Sequence, residues 1–156
     1  VIWAITIQNP FKEKSINNLK KRITDCKKII RANKLIKVKF FEDIINSNKT
    51  IDLINHLRKN KKYDLYFLMG SDTLMDFHNW KEPKKILDLC NIVVATRPGF
   101  TPSNIPQWVL DRVHFANIPQ FEISSTNIRA RWREGKTIRY MVTKEVWDYI
   151  NKDGLY

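Results

Sequence analysis

An α/β fold, with a parallel sheet carrying helices on both faces, is what this sequence predicts. Two observations carry the prediction: short apolar runs rich in β-branched and aromatic residues recur along the chain, and longer stretches of helical period separate them. A length of 156 residues with 43% apolar content also suits one domain able to bury a packed core. The elements follow in order. Ile2 to Ile7, Ile36 to Phe41, Leu65 to Met69 and Ile92 to Ala95 read as strands, with His114 to Ala116 and Phe121 to Ile123 as shorter ones.

Between the first two strands, Ile16, Leu19, Ile23, Cys26 and Ile30 fall on one stripe of an amphipathic helix, with Ser15 as its N-cap. Thr50 to Asn60 repeats that pattern through Ile51, Ile54 and Leu57. Pro83 to Leu89 is a shorter helix whose proline suits a first turn. Arg97 to Pro106, with three prolines and Gly99, must be a loop. It follows the C-terminal end of a strand, where open α/β sheets bind ligands. Thr126 to Glu134 and Lys144 to Asn151 close the chain as helices, with Gly135 and Asp153-Gly154 as stop signals.

Composition narrows the function classes. No apolar stretch reaches the length of a membrane-spanning helix, and the opening run is too short for a signal peptide, so a cytoplasmic protein with no membrane partner is expected. The two cysteines, Cys26 and Cys90, have no metal-ligand spacing and read as core thiols. A net charge of +12 invites a nucleic-acid reading, but 19 of the 28 basic residues are Lys and accompany 20 Ile and 14 Asn. That pattern is a compositional drift giving a solvated basic surface, so no nucleic-acid partner is expected. A positive field would still concentrate a polyanion such as a nucleoside triphosphate.

Two segments carry chemistry. Ser124, Ser125 and Thr126 place three hydroxyls at a helix N-terminus, where free N–H groups and the helix dipole favour an anion, and Arg129 follows one turn inward. On spacing alone, ordinary N-capping accounts for these residues at least as well. In the second segment, the strand ending at Met69 delivers Gly70-Ser71-Asp72 and then Phe77 and Trp80. Asp72 can accept from ribose hydroxyls and Trp80 offers a face for an aromatic ring. A helix cap and a core aromatic are their plainer roles.

The run Ile123-Ser124-Ser125-Thr126-Asn127-Ile128-Arg129 resembles the ISSTxIR signature of the nucleotidyltransferase superfamily of HxGH type, which has a Rossmann-like fold. The resemblance implies ATP-binding by Ser124, Ser125, Thr126 and Arg129, with Arg129 catalytic through the charge it offers to departing pyrophosphate. The pattern GxDxxxxFxxW from Gly70 to Trp80 is similar to the nicotinate-mononucleotide adenylyltransferase branch. On that resemblance Trp80 stacks on the pyridine ring. Gln8 to Lys12 resembles the branch's substrate loop, Thr50 its nicotinate-side threonine, and Val94 to Gly99 its strand end. Asn9, Lys12, Thr50, Asp72, Trp80 and Arg97 are therefore the expected substrate-binding residues, Arg97 facing a carboxylate or phosphate. ATP and nicotinate mononucleotide are the implied partners, with Mg²⁺ as cofactor held mostly by the phosphates.

The superfamily also opens with a GxFxPxHxGH segment, which residues 1–156 do not contain; His56, His78 and His114 lie far apart. The chain is thus expected to be a single domain forming the larger, C-terminal part of the family fold, with the first strand-helix unit missing. Taken alone it is expected to expose a sheet edge and show poor stability and little activity. His56 is expected on the surface, and His78 in a structural role beside the pocket. Pantetheine-phosphate or nicotinamide-mononucleotide adenylyl transfer are the sister readings. An inactive basic module that binds RNA is the reading from another class.

Overall fold

The computed structural model describes residues 1–7, 18–59, 63–119 and 123–153. In chain order its elements are β1 (Ile2–Ile5), α1 (Leu19–Ile29), β2 (Lys37–Phe40), α2 (Glu42–Ile45), α3 (Thr50–Arg58), β3 (Tyr66–Gly70) and α4 (Ser71–Met75). A 3₁₀ turn (Phe77–Asn79) follows, then α5 (Pro83–Leu89), β4 (Asn91–Ala95), α6 (Gln107–Leu110), β5 (Val113–Ala116), α7 (Ser125–Arg133) and α8 (Lys144–Asp153). Every strand pair is parallel, as expected. The pairing forms a two-stranded sheet β1-β2 and a three-stranded sheet β3-β4-β5. These belong to two compact units, Val1–Phe40 with Glu122–Tyr156, and Phe41–Phe121.

In the first unit β1 runs beside β2 from Ile2↔Lys37 to Ile5↔Phe40, joined through α1. The helix begins one turn later than its apolar stripe predicts. Asn18, not Ser15, is the cap, its side chain accepting from the Lys20 N–H at 2.9 Å; Ser15 and Ile16 lie outside the described residues. Cys26, expected in the core, is only half-buried on this helix. Helix α8 packs on α1, where Tyr149 donates to Asp25. Trp132 of α7 meets Trp147 of α8 edge to face, with centroids 6.1 Å apart.

The second unit holds the principal core. Ile51 and Ile54 of α3, Ile86 of α5, and Ile92 and Val94 of β4 are all buried there. β4 is flanked on both sides, from Tyr66↔Asn91 to Gly70↔Ala95 and from Ile92↔Val113 to Ala95↔Ala116, which accounts for its unbroken apolar run. β3 alternates instead: Met69 is buried whereas Tyr66 and Leu68 are exposed. Cys90 is a buried thiol donating to the Ile86 carbonyl at 3.3 Å. His56 departs from its expected surface place and is half-buried edge-on against Phe41, centroids 5.9 Å apart. The expected strand Phe121 to Ile123 lies mostly outside the described residues, and Ile123 itself is irregular.

Candidate active site

The first turn of α7 gathers four of the expected site residues. Ser124 is the N-cap, in an extended conformation (φ −123°, ψ 149°), and its hydroxyl accepts from the Asn127 N–H at 3.1 Å. The plain capping role is therefore real for Ser124. Its consequence is to fix the turn so that Ser125 and Thr126, both exposed, begin the helix with N–H groups that have no intrahelical acceptor. Arg129 stands one turn on, half-buried and without an acidic partner among the described residues. The far end of the helix is closed as firmly. Gly135, at φ +69°, donates to the Trp132 carbonyl at 3.0 Å and Lys136 donates to Arg131 at 2.9 Å, the two bonds of a Schellman cap.

The C-terminal edge of the three-stranded sheet gathers two more. Gly70 and Ala95 are the last registered pair of β3 and β4. Two residues beyond each stand Asp72 and Arg97, and their side chains meet at 2.6 Å, Nη1 to Oδ2. Arg97 begins a turn closed by the Phe100 N–H on its carbonyl at 3.1 Å, with Gly99 at φ +77°. Pro98 followed by a positive-φ glycine makes this a type II turn, which only glycine or asparagine completes readily. Gly70 is different. It is extended at φ −82° with open space where a Cβ would stand, so its backbone does not require glycine.

Trp80 ends the 3₁₀ turn, half-buried, edge to face with Phe67 at 6.0 Å and tilted on Phe77 at 5.3 Å. Its core-aromatic role is thus also real. Residues 71–80 contain three buried polar atoms without a partner, Ser71 Oγ, His78 Nδ1 and Trp80 Nε1. Ser71 is fully buried and was not singled out in the sequence, because a serine between glycine and aspartate reads as a turn residue. Thr50 opens α3, half-buried, and shares no hydrogen bond with Asp72, Trp80 or Arg97. Asn9 and Lys12 lie outside the described residues.

A parallel α/β scaffold with an open helix N-terminus and charged groups at strand ends suits a nucleotidyl-transferring enzyme. Residues 1–131 match the cytidylyltransferase-like family, and the chain belongs to it and, within it, to the nicotinate-nucleotide adenylyltransferases. A probable nicotinate-nucleotide adenylyltransferase of Pelagibacter ubique is 46% identical over 134 residues, covering 83% of this chain and 74% of its own length. One from Desulfitobacterium hafniense is 36% identical over 116 residues, and there the match spans 69% of this chain but 56% of the relative. Against such relatives the chain spans little more than half their length.

Among solved structures, the Plasmodium falciparum nicotinic acid mononucleotide adenylyltransferase complexed with APC matches 88% of this chain and 71% of its own, with TM-score 0.62 and 26% identity. The same enzyme complexed with NaAD matches 99% and 81%, with TM-score 0.66 and 23% identity, a likeness of fold. No helix among the described residues is long and apolar enough to cross a membrane.

Proposed function

We propose that this protein transfers the adenylyl group of ATP to nicotinate mononucleotide. The mononucleotide's phosphate oxygen attacks the α-phosphorus of ATP, the bond to the bridging oxygen of the β-phosphate breaks, and pyrophosphate leaves with its electron pair, giving deamido-NAD. The observation that carries the reading is the first turn of α7, where Ser125 and Thr126 are exposed with N–H groups that have no intrahelical acceptor and Arg129 follows without an acidic partner among the described residues. Such a turn can hold a polyphosphate through backbone donors, hydroxyls and one guanidinium, and Arg129 would offset the charge that builds on pyrophosphate. The name shared by the relatives supports the same substrates.

On this reading Asp72, Trp80, Arg97 and Thr50 serve the mononucleotide, together with Asn9 and Lys12. Trp80 would offer its indole to the pyridine ring, beside the contacts it makes with Phe67 and Phe77. No covalent enzyme intermediate is needed, and these residues act by position and charge. Mg²⁺, which offsets phosphate charge, would be held by the triphosphate, since no three His, Cys, Asp or Glu side chains cluster among the described residues. The whole would work as one nucleotidyltransferase domain in the cytoplasm. Pyrophosphate release with ATP is the test, supplying nicotinate mononucleotide, nicotinamide mononucleotide and pantetheine phosphate in turn. Release that depends on the nicotinate compound supports the proposal; release with pantetheine phosphate alone refutes it.

A further inference from the structure

The positive charge of this chain is segregated. Val1–Phe40 with Glu122–Tyr156 carries 18 basic and 7 acidic residues, a net +11, whereas Phe41–Phe121 carries 10 and 9, a net +1. A drift of composition toward lysine would charge two units of similar length alike, so the segregation needs another cause. It is sharpest over residues 18–40, where nine cations accompany one acid, Asp25. That acid is already engaged by Tyr149, Lys21 and Lys28, and its side chain is only 14% exposed. Lys20, Lys27, Arg31, Lys34, Lys37 and Lys39 are exposed, and none has an ion-pair partner among the described residues. Crowded like charges oppose compaction, and a bound polyanion offsets that cost.

We infer that this unit binds a single-stranded nucleic acid. The six cations face different ways. Lys20 and Lys27 lie about two turns apart on one side of α1, and Arg31 and Lys34 belong to the connection that leaves it. Lys37 and Lys39 alternate with buried Val38 along β2, so they leave the strand on the side opposite its packed one. A flat bilayer surface meets only one of these directions, whereas a flexible phosphate chain can follow all of them. The same unit supplies a platform for a base. Tyr140 is 89% exposed, with the Arg139 guanidinium 5.7 Å from its ring centroid. A nucleobase can stack on so open a ring, and the arginine adds a cation–π contribution. None of these residues is among those proposed to hold ATP or the mononucleotide, so this binding stands or falls apart from the transfer reaction.

Fluorescence polarisation across a salt series, with labelled oligouridylate and oligothymidylate as probes, tests the inference on the whole chain. Binding of either supports it, and the tighter probe tells RNA from DNA. The log–log salt slope should be about −4, since each phosphate neutralised on a single strand contributes about −0.7. Two double variants, Lys27→Glu with Lys34→Glu and Lys49→Glu with Lys59→Glu, lower the net charge equally, one in each unit, at exposed positions. The first should weaken binding about tenfold or more, the second about twofold or less. Tyr140→Ala should weaken it about fivefold with the salt slope unchanged, and Tyr140→Phe should keep it. Each variant is first shown to melt like the unsubstituted chain. Equal losses from the two lysine pairs would reduce the effect to net charge and refute the site. Indifference to Tyr140→Ala refutes it too, as does binding to phosphatidylglycerol vesicles but to neither oligonucleotide.

Discussion

Tyr149 donates its phenolic hydrogen to Asp25, tying α8 to α1 across 124 positions of sequence. Lys21 and Lys28 flank the same ring, their ammonium groups 5.1 and 6.0 Å from its centroid. Burial, and then the bond to Asp25, raise the Tyr149 hydroxyl above its ordinary 10.0. Removing that hydroxyl with Tyr149→Phe should cost about 1.5–3 kcal/mol, as for a hydrogen bond to a charged group. Urea unfolding at neutral pH measures it. Because the folded-state value is the higher one, the contribution is intact below pH 10 and is lost as pH climbs beyond it.

The two ends of α7 make separable predictions. Ser124→Ala removes the bond to the Asn127 N–H and should cost about 1 kcal/mol. Gly135→Ala forces a side chain into φ +69° and should cost about 1–2 kcal/mol. Thermal melts compare the two. Only Ser124→Ala should also weaken ATP, because it loosens the turn proposed to carry the phosphates.

Burial pushes the Cys90 thiol up from 9.0 to about 11, with Arg58 opposing weakly. The folded protein then holds that proton more tightly than the unfolded chain. Stability from this site is fully present below pH 9 and declines between about 9 and 11. Unfolding curves across that window should show the decline, and Cys90→Ala should flatten it. Alkylation at pH 8 should be slower at Cys90 than at the half-buried Cys26.

Trp80 has two roles to separate. Trp80→Ala removes contacts with Phe67 and Phe77 and should cost about 3 kcal/mol of stability. Trp80→Phe keeps most of that packing and is the better probe of ligand stacking. It should weaken nicotinate mononucleotide with little effect on ATP, by calorimetry. Equal losses for both ligands would assign Trp80 to the core alone.

The strands were readable because the sequence around each holds a compact run of apolar, largely β-branched or aromatic residues. The short helices α2, α4 and α6 were not, since four or five residues cannot display a period. Asn18 was missed as a cap because Ser15 stands nearer the first apolar residue of the stripe, and a cap is chosen by backbone geometry, not by residue type alone. At the site, the residues of the α7 turn were legible as neighbours in sequence. The Asp72–Arg97 pair was not, because it depends on the β3–β4 register bringing residues 25 apart to the same edge. Tyr149 and Asp25 are the same case at greater separation.

On the proposed function, the opening turn of α7 receives the phosphates of ATP. Titration of ATP into the unsubstituted chain and into Arg129→Ala, each first shown to melt alike, tests it most directly. ATP should bind saturably, and Arg129→Ala should weaken it about tenfold or more, with nicotinate mononucleotide affinity unchanged. ATP binding of equal strength in both proteins would contradict it.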